Sequence, residues 1–155
     1  MLFRSGYAAR ARQFSAVLKD INEFLASIDL NPDLRELPLT VTYQDSCHLA
    51  HGQKIHAAPR KLLRAIPGLT LREMPLSDLC CGSAGIYNIV HTEMAMSLLA
   101  KKMELARGTR AAVIVTANPG CMLQLEAGIR QTGGGMRVAH VVELLDEAYR
   151  GLKVV

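Results

Sequence analysis

The chain has 155 residues, half of them hydrophobic, with a formal net charge of +4, which is enough for one domain to bury a core without covalent staples. No apolar run reaches the length that crosses a bilayer, and the absence of tryptophan with only 5% aromatics argues against a base-stacking, nucleic-acid platform. The basic residues are scattered, as Arg10 with Arg12, Arg60 with Lys61 and Arg64, and Lys101 with Lys102; with no nucleic-acid motif beside them they read as solvated helix faces.

Leu2-Phe3-Arg4-Ser5 matches the translation of a common sequencing adapter in one frame, so the reading frame is expected to open on an assembly scar and the chain to be a fragment. From Tyr7 to Ile28 the apolar residues Phe14, Val17, Leu18, Ile21, Phe24, Leu25 and Ile28 recur at three and four. That spacing predicts one amphipathic helix with a wide buried stripe. Asn31-Pro32-Asp33 ends it, so residues 1–36 form a leading helix and linker and residues 37–155 the domain proper.

Leu39 to Tyr43 is short and β-branched and predicts a strand running into Gln44-Asp45-Ser46-Cys47-His48. A helix is expected from Gln53 to Ile66, stopped by Pro67-Gly68. Leu69 to Met74 alternates as a second strand, and Pro75 breaks it ahead of Leu79-Cys80-Cys81-Gly82-Ser83-Ala84-Gly85. Helical spacing resumes from Ala84 to Ala106, where Met94, Met96 and Met103 read as core filler. Ala111 to Ala117 is a continuous apolar run, as expected of a central parallel strand covered on both faces. Asn118-Pro119-Gly120-Cys121 then opens a further helix. Met136 to Ala139 predicts the last strand, and Val141, Leu144, Leu145 and Ala148 a closing helix.

Strands alternating with helices predict an α/β fold: a small, mostly parallel four-stranded sheet with helices on both faces. All four cysteines would then leave the carboxyl edge of the strands, where open α/β sheets bind ligands. The cysteine pattern is C-x32-C-C-G-x38-C. An even count could mean disulfides, but the chain is not small and cysteine-dense, so intracellular metal or redox use is expected. Cysteines that merely fill a core would fall on helix and strand faces, whereas these fall in glycine-bearing loops. Thiolates in this number suit zinc or an iron-sulfur cluster. Neither the close pairs typical of zinc sites nor the ferredoxin run is present. A thiol-exchange enzyme is disfavoured, because a catalytic pair wants C-x-x-C spacing. Gly82-Ser83-Ala84-Gly85 is not the dinucleotide fingerprint either.

Three stretches carry a resemblance: Cys47 to Gln53, Leu79 to Asn88, and Ala117 to Cys121. Together they resemble the cysteine-rich CCG module of heterodisulfide reductase and its relatives, and most closely the second such module of the glycolate oxidase iron-sulfur subunit. The likeness runs from the leading helix to Leu145. It implies an electron-transfer component of a glycolate oxidase or dehydrogenase complex. Cys47, Cys80, Cys81 and Cys121 would bind an iron-sulfur cluster, [4Fe-4S] in type, with Zn2+ in a structural docking domain as the alternative.

The implied partners are FAD-containing glycolate oxidase subunits, together with the ferredoxin-like part and first CCG module of the same subunit, which this chain lacks. The implied location is cytoplasmic, either free or peripheral on the inner face of the membrane. No residue is assigned a catalytic role, and the fragment alone is not expected to turn over glycolate. One departure stands out: the general module ends in C-x-x-C, and here the last position is Gln124. His48 and His51 are candidates for the missing position or for hydrogen bonds to sulfur, and Asn118 for the latter. Ser83 reads as a turn or cap residue and Asp45 as one that orients a histidine, while His56, His91 and His140 carry no role.

Overall fold

The computed structural model describes residues 6–151. Strand β1, Thr40–Tyr43, pairs in parallel with β2, Thr70–Glu73, on one side and with β3, Val113–Thr116, on the other; β4, Arg137–His140, lies beyond β3. The order β2-β1-β3-β4 makes a four-stranded, all-parallel sheet. β3 is buried along its whole length, as its unbroken apolar run requires, while β2 is an edge strand with most of its side chains in solvent.

Side chains alternate between the faces of β3 and thereby divide the core. Val113 and Val115 join Val41 and Tyr43 beneath α3, Ala57–Ala65, and α7, Val141–Arg150. Ile114 points the other way, to Leu99 and Met103 of α5, Thr92–Gly108, and to Leu125 and Ile129 of α6, Pro119–Gln131. Helices thus cover both faces. Cys81 and Cys121 belong to this second core.

Several expectations need correction. The leading helix is two helices, α1 at Ala8–Val17 and α2 at Ile21–Ser27. Leu18 is extended, and the Asp20 carboxylate accepts a hydrogen bond from the Asn22 amide at 2.8 Å, capping a fresh start; an aspartate here competes with helix continuation. The apolar stripe is also exposed at Tyr7, Phe14, Val17 and Leu18, because nothing among the described residues covers α1. Leu2 to Ser5 lies outside the described residues.

The helix expected from Gln53 begins only at Ala57, after a π-helical turn at His48–Gly52 and a left-handed Lys54. The helix expected from Ala84 splits at His91 into α4, Tyr87–Val90, and α5. His140 has a role after all: its ring accepts from the Val142 amide while Glu143 accepts from the His140 amide, a reciprocal cap on α7. Lys102 and Arg60 are not solvated helix faces. Lys102 is wholly buried, and the Arg60 side chain is largely so.

Candidate metal centre

Three chain segments converge beyond the ends of β1 and β3. Ser46 and Thr116 hydroxyls meet at 3.1 Å, tying the exit of β1 to the end of β3. The Ser46 carbonyl accepts from the Leu49 and Ala50 amides, which coils the chain immediately after it and sets half-buried Cys47 at the head of the π-helical turn. Cys121 sits in the first turn of α6, where the Asn118 side chain caps the helix by accepting from the Cys121 amide at 3.0 Å. Pro119 occupies the helix start, where its missing N–H costs nothing.

Cys80 and Cys81 lie in a tight turn that only glycine can complete. Gly82 has φ of +90°, and its amide donates to the Cys80 sulfur at 3.3 Å. The Ser83 backbone amide favours the ionised form of Cys81. In this turn the adjacent cysteines take different surroundings: Cys81 is buried and Cys80 half-buried.

The thiols act on one another electrically, Cys121 most strongly on Cys81, and both Cys47 and Cys81 on Cys80. Cys47, Cys81 and Cys121 line one cavity of about 420 Å³ together with His48, Ser83 and Asn118. Among the described residues, no three His, Cys, Asp or Glu side chains are arranged to share a single metal ion, and none of the cysteines is in a disulfide.

Charge is divided unequally between the buried pair. The hydrogen bond from the Cys121 thiol, against the opposing effect of burial, holds Cys81 down at about 6, helped by backbone amides and by the positive charge of Lys102. The same hydrogen bond, with burial, drives Cys121 far above the ordinary thiol range. The pair therefore shares a proton, with Cys81 the more readily ionised of the two. Burial also raises Cys80, partly offset by the Gly82 amide.

The polar neighbours sort themselves by distance. His48 lines the cavity, and its Nδ1 lies 3.2 Å from the Asn118 amide nitrogen, so that Asn118 joins the Cys121 backbone to the His48 ring. His51 faces away, with Nε2 3.9 Å from Asp78 on the exposed surface. Asp45 does not chiefly orient a histidine: Arg60 donates two hydrogen bonds to its carboxylate at 2.9 and 2.7 Å and Ser77 a third at 2.6 Å, with His56 only at 3.9 Å. Burial pushes the Asp45 carboxyl up, but these hydrogen bonds and the Arg60 charge outweigh it and leave it below the usual range.

Two neighbours carry more than the sequence reading assigned them. Gln124, one turn beyond Cys121, is buried; its carbonyl accepts from Asn88 at 3.2 Å while its amide nitrogen has no partner. Lys102 is the other. Its helical spacing is that of a core position, since Leu99, Met103 and Ala106 flank it on the buried side of α5; that spacing was the available signal.

A family model described as a cysteine-rich domain, CCG, matches residues 41–126, a span that contains all four cysteines. The probable glycolate oxidase iron-sulfur subunit of Bacillus subtilis is 47% identical over 146 residues, covering 92% of this chain and 33% of that protein. The glycolate oxidase iron-sulfur subunit of Escherichia coli is 34% identical over 142 residues, 92% of this chain and 33% of that protein. A fumarate reductase (CoM/CoB) subunit of Methanothermobacter marburgensis is 39% identical over 131 residues, 84% of this chain and 27% of that protein. The chain thus spans about a third or less of the length of these curated relatives. On the match of the family model to more than half its length, the chain belongs to the CCG cysteine-rich domain family.

Proposed function

We propose that this chain is an iron-sulfur electron-transfer module of a glycolate oxidase type complex, its domain spanning residues 37–155, with Cys47, Cys80, Cys81 and Cys121 as the cluster ligands. The observation that carries this reading is the meeting of thiols from three separated segments around one cavity. The relatives that are named iron-sulfur subunits support it.

The residues fit such a group. Zinc gathers four sulfurs about 2.3 Å from a single point, whereas a [4Fe-4S] cluster takes one thiolate per iron and so spreads its ligands apart. Among the described residues no three such side chains are focused on one ion, as the single-point arrangement would need. The orphaned Gln124 amide is a further argument, because a buried donor without an acceptor is costly unless something electron-rich takes its hydrogen bond.

When bound, the cluster would supply one-electron transfer. The protein's own contribution is a Cys81 thiol that ionises more readily than an ordinary one, an amide donor from Gly82 directed at sulfur, and an Asn118 cap that fixes the Cys121 backbone. His48 and Asn118 would shape the mouth of the cavity. Flavin-containing subunits would deliver electrons to it, in company with the parts of the subunit outside this chain. No helix of the described residues is long and apolar enough to cross a membrane.

Anaerobic reconstitution with iron and sulfide, followed by iron, sulfide and zinc analysis and by electron paramagnetic resonance after reduction, tests the reading. Equal iron and acid-labile sulfide with a paramagnetic reduced state is expected. Stoichiometric zinc without sulfide would replace it with a structural zinc domain.

A further inference from the structure

Lys102 is wholly buried, yet its ammonium has no carboxylate partner among the described residues. Its Nζ donates to the carbonyls of Leu76 and Ser77, at 2.9 and 3.1 Å, on the segment that leads into Cys80. The nearest buried carboxylate, Asp45, is committed to Arg60 and Ser77, and Asp78 is half in solvent beside His51. A buried cation is tolerated only where an opposite charge or a full set of hydrogen bonds compensates it, and two carbonyl dipoles leave one of its three donors over.

We propose that Lys102 is the fixed counter-ion of the thiolate centre. It is a positioning and charge-balancing residue rather than a ligand, and its ammonium, held by the Leu76 and Ser77 carbonyls ahead of the Cys80-Cys81 turn, favours the more negative of the states available to the site. The inference rests on the cysteine-ligated centre proposed above. Four thiolates around either a [4Fe-4S] cluster or a zinc ion leave the site negative, and adding an electron makes it more so. A cation fixed in a medium of low dielectric lowers the energy of each such state, and does so most for the reduced one. Burial works against the charge on Lys102, and the groups whose negative charge supports it are, in descending order, Cys81, Asp78, Asp45 and Cys80, so two of the four proposed ligands are among them. Its position in α5 adds precision: Ala95 of the same helix lies against Gly82, so one rigid element supports the turn and carries the charge.

The test compares the wild-type chain with K102M, which keeps the length of the side chain and removes the charge, and K102R, which keeps the charge. After anaerobic reconstitution with iron and sulfide, the reduction potential is read by dye-mediated titration. K102M should disfavour the reduced state about tenfold, which is about 59 mV downward for a one-electron couple, and K102R should stay near the wild type. In the metal-free protein at low pH, where the thiols hold their protons, the order should reverse. There K102M should melt no lower than the wild type, because an apolar side chain replaces an uncompensated buried charge.

A K102M potential within about twofold of the wild type in that ratio would overturn the proposal. So would a K102M chain that fails to fold even without metal, since the lysine would then be a structural tether. Wild-type protein that takes up neither iron with sulfide nor zinc would instead remove the cysteine-ligated centre itself, and that is read before any variant is made.

Discussion

Gly82 packs with no clearance against the backbone of Ala95: a Cβ at position 82 would lie 2.3 Å from the Ala95 carbonyl oxygen. The contact joins the double-cysteine turn to the start of α5, where Ala95 is a buried residue. Gly82→Ala must therefore abandon both a left-handed backbone and a close approach that no rotamer can relieve. The left-handed conformation alone costs an L-residue roughly 1–2 kcal/mol, and displacing α5 adds to it, so a loss of about 3 kcal/mol or more is expected. Thermal melting of the metal-free chain checks the stability, and iron retention after reconstitution should fall with it. A variant that melts like the wild type would show that the turn can re-form without glycine.

The shared proton of Cys81 and Cys121 makes the metal-free protein sensitive to pH. The folded-state value of Cys81 is lowered to about 6 from 9.0, so the folded chain binds fewer protons than the unfolded one between those values. Stability from this group is fully present above about 9 and is lost as pH falls through about 6. Cys121 acts oppositely, since its raised value removes stability as pH rises above the ordinary thiol range. The reduced, metal-free chain should accordingly be more stable at pH 8 than at pH 6 by an amount that Cys81→Ala abolishes. Thiolate ultraviolet absorbance offers a direct check: it should appear on titration near pH 6 in the wild type and much higher in Cys121→Ala.

The two central strands and the alternation of strand and helix were legible because apolar runs and glycine-proline punctuation are local signals. Leu39 to Tyr43 and Ala111 to Ala117 each contain the strand that formed. Helix breaks were not, since they depend on details of conformation: Asp20 as a cap in place of a continuing turn, and His91 as an interruption ahead of α5. Periodicity suggested a buried stripe from Phe14 to Ile28, but no residue of α1 is buried. The candidate cysteines were legible from residue type and spacing, whereas Asn118 bridging to His48, Lys102 reaching the Leu76 carbonyl and Arg60 clamping Asp45 are long-range contacts. A charge written among other charges looks solvated until its helix is turned.

Asp45 and Arg60 form the best-built ion pair near the site, with the carboxylate almost entirely buried. Removing one partner strands the other, so Asp45→Ala should cost about 3 kcal/mol, more than Glu73→Ala, whose carboxylate is half-exposed. Because the folded-state value of Asp45 is lowered, its contribution is present above the ordinary carboxyl value and is lost as pH falls through the lower folded one. Chemical denaturation at neutral pH and again in mild acid checks both points. The difference between wild type and Asp45→Asn should shrink as the pH falls below 3.8.

Gln124 stands three residues beyond Cys121, and its buried amide nitrogen is without a partner among the described residues. In the metal-free chain that nitrogen is a liability, because an unsatisfied buried donor costs about 1–3 kcal/mol. Gln124→Met fills a similar volume without the polar group, at the loss of one hydrogen bond from half-buried Asn88. The metal-free variant should therefore melt within a few degrees of the wild type. Reconstituted protein should behave differently if the amide donates to a cluster sulfur, for such donors favour the negative, reduced state. Its potential should fall, while Gln124→Glu, which brings a charge instead of a donor, should lower it further and weaken iron retention. Equal potentials in all three proteins would place the amide out of reach of the centre and confine Gln124 to the contact between α4 and α6.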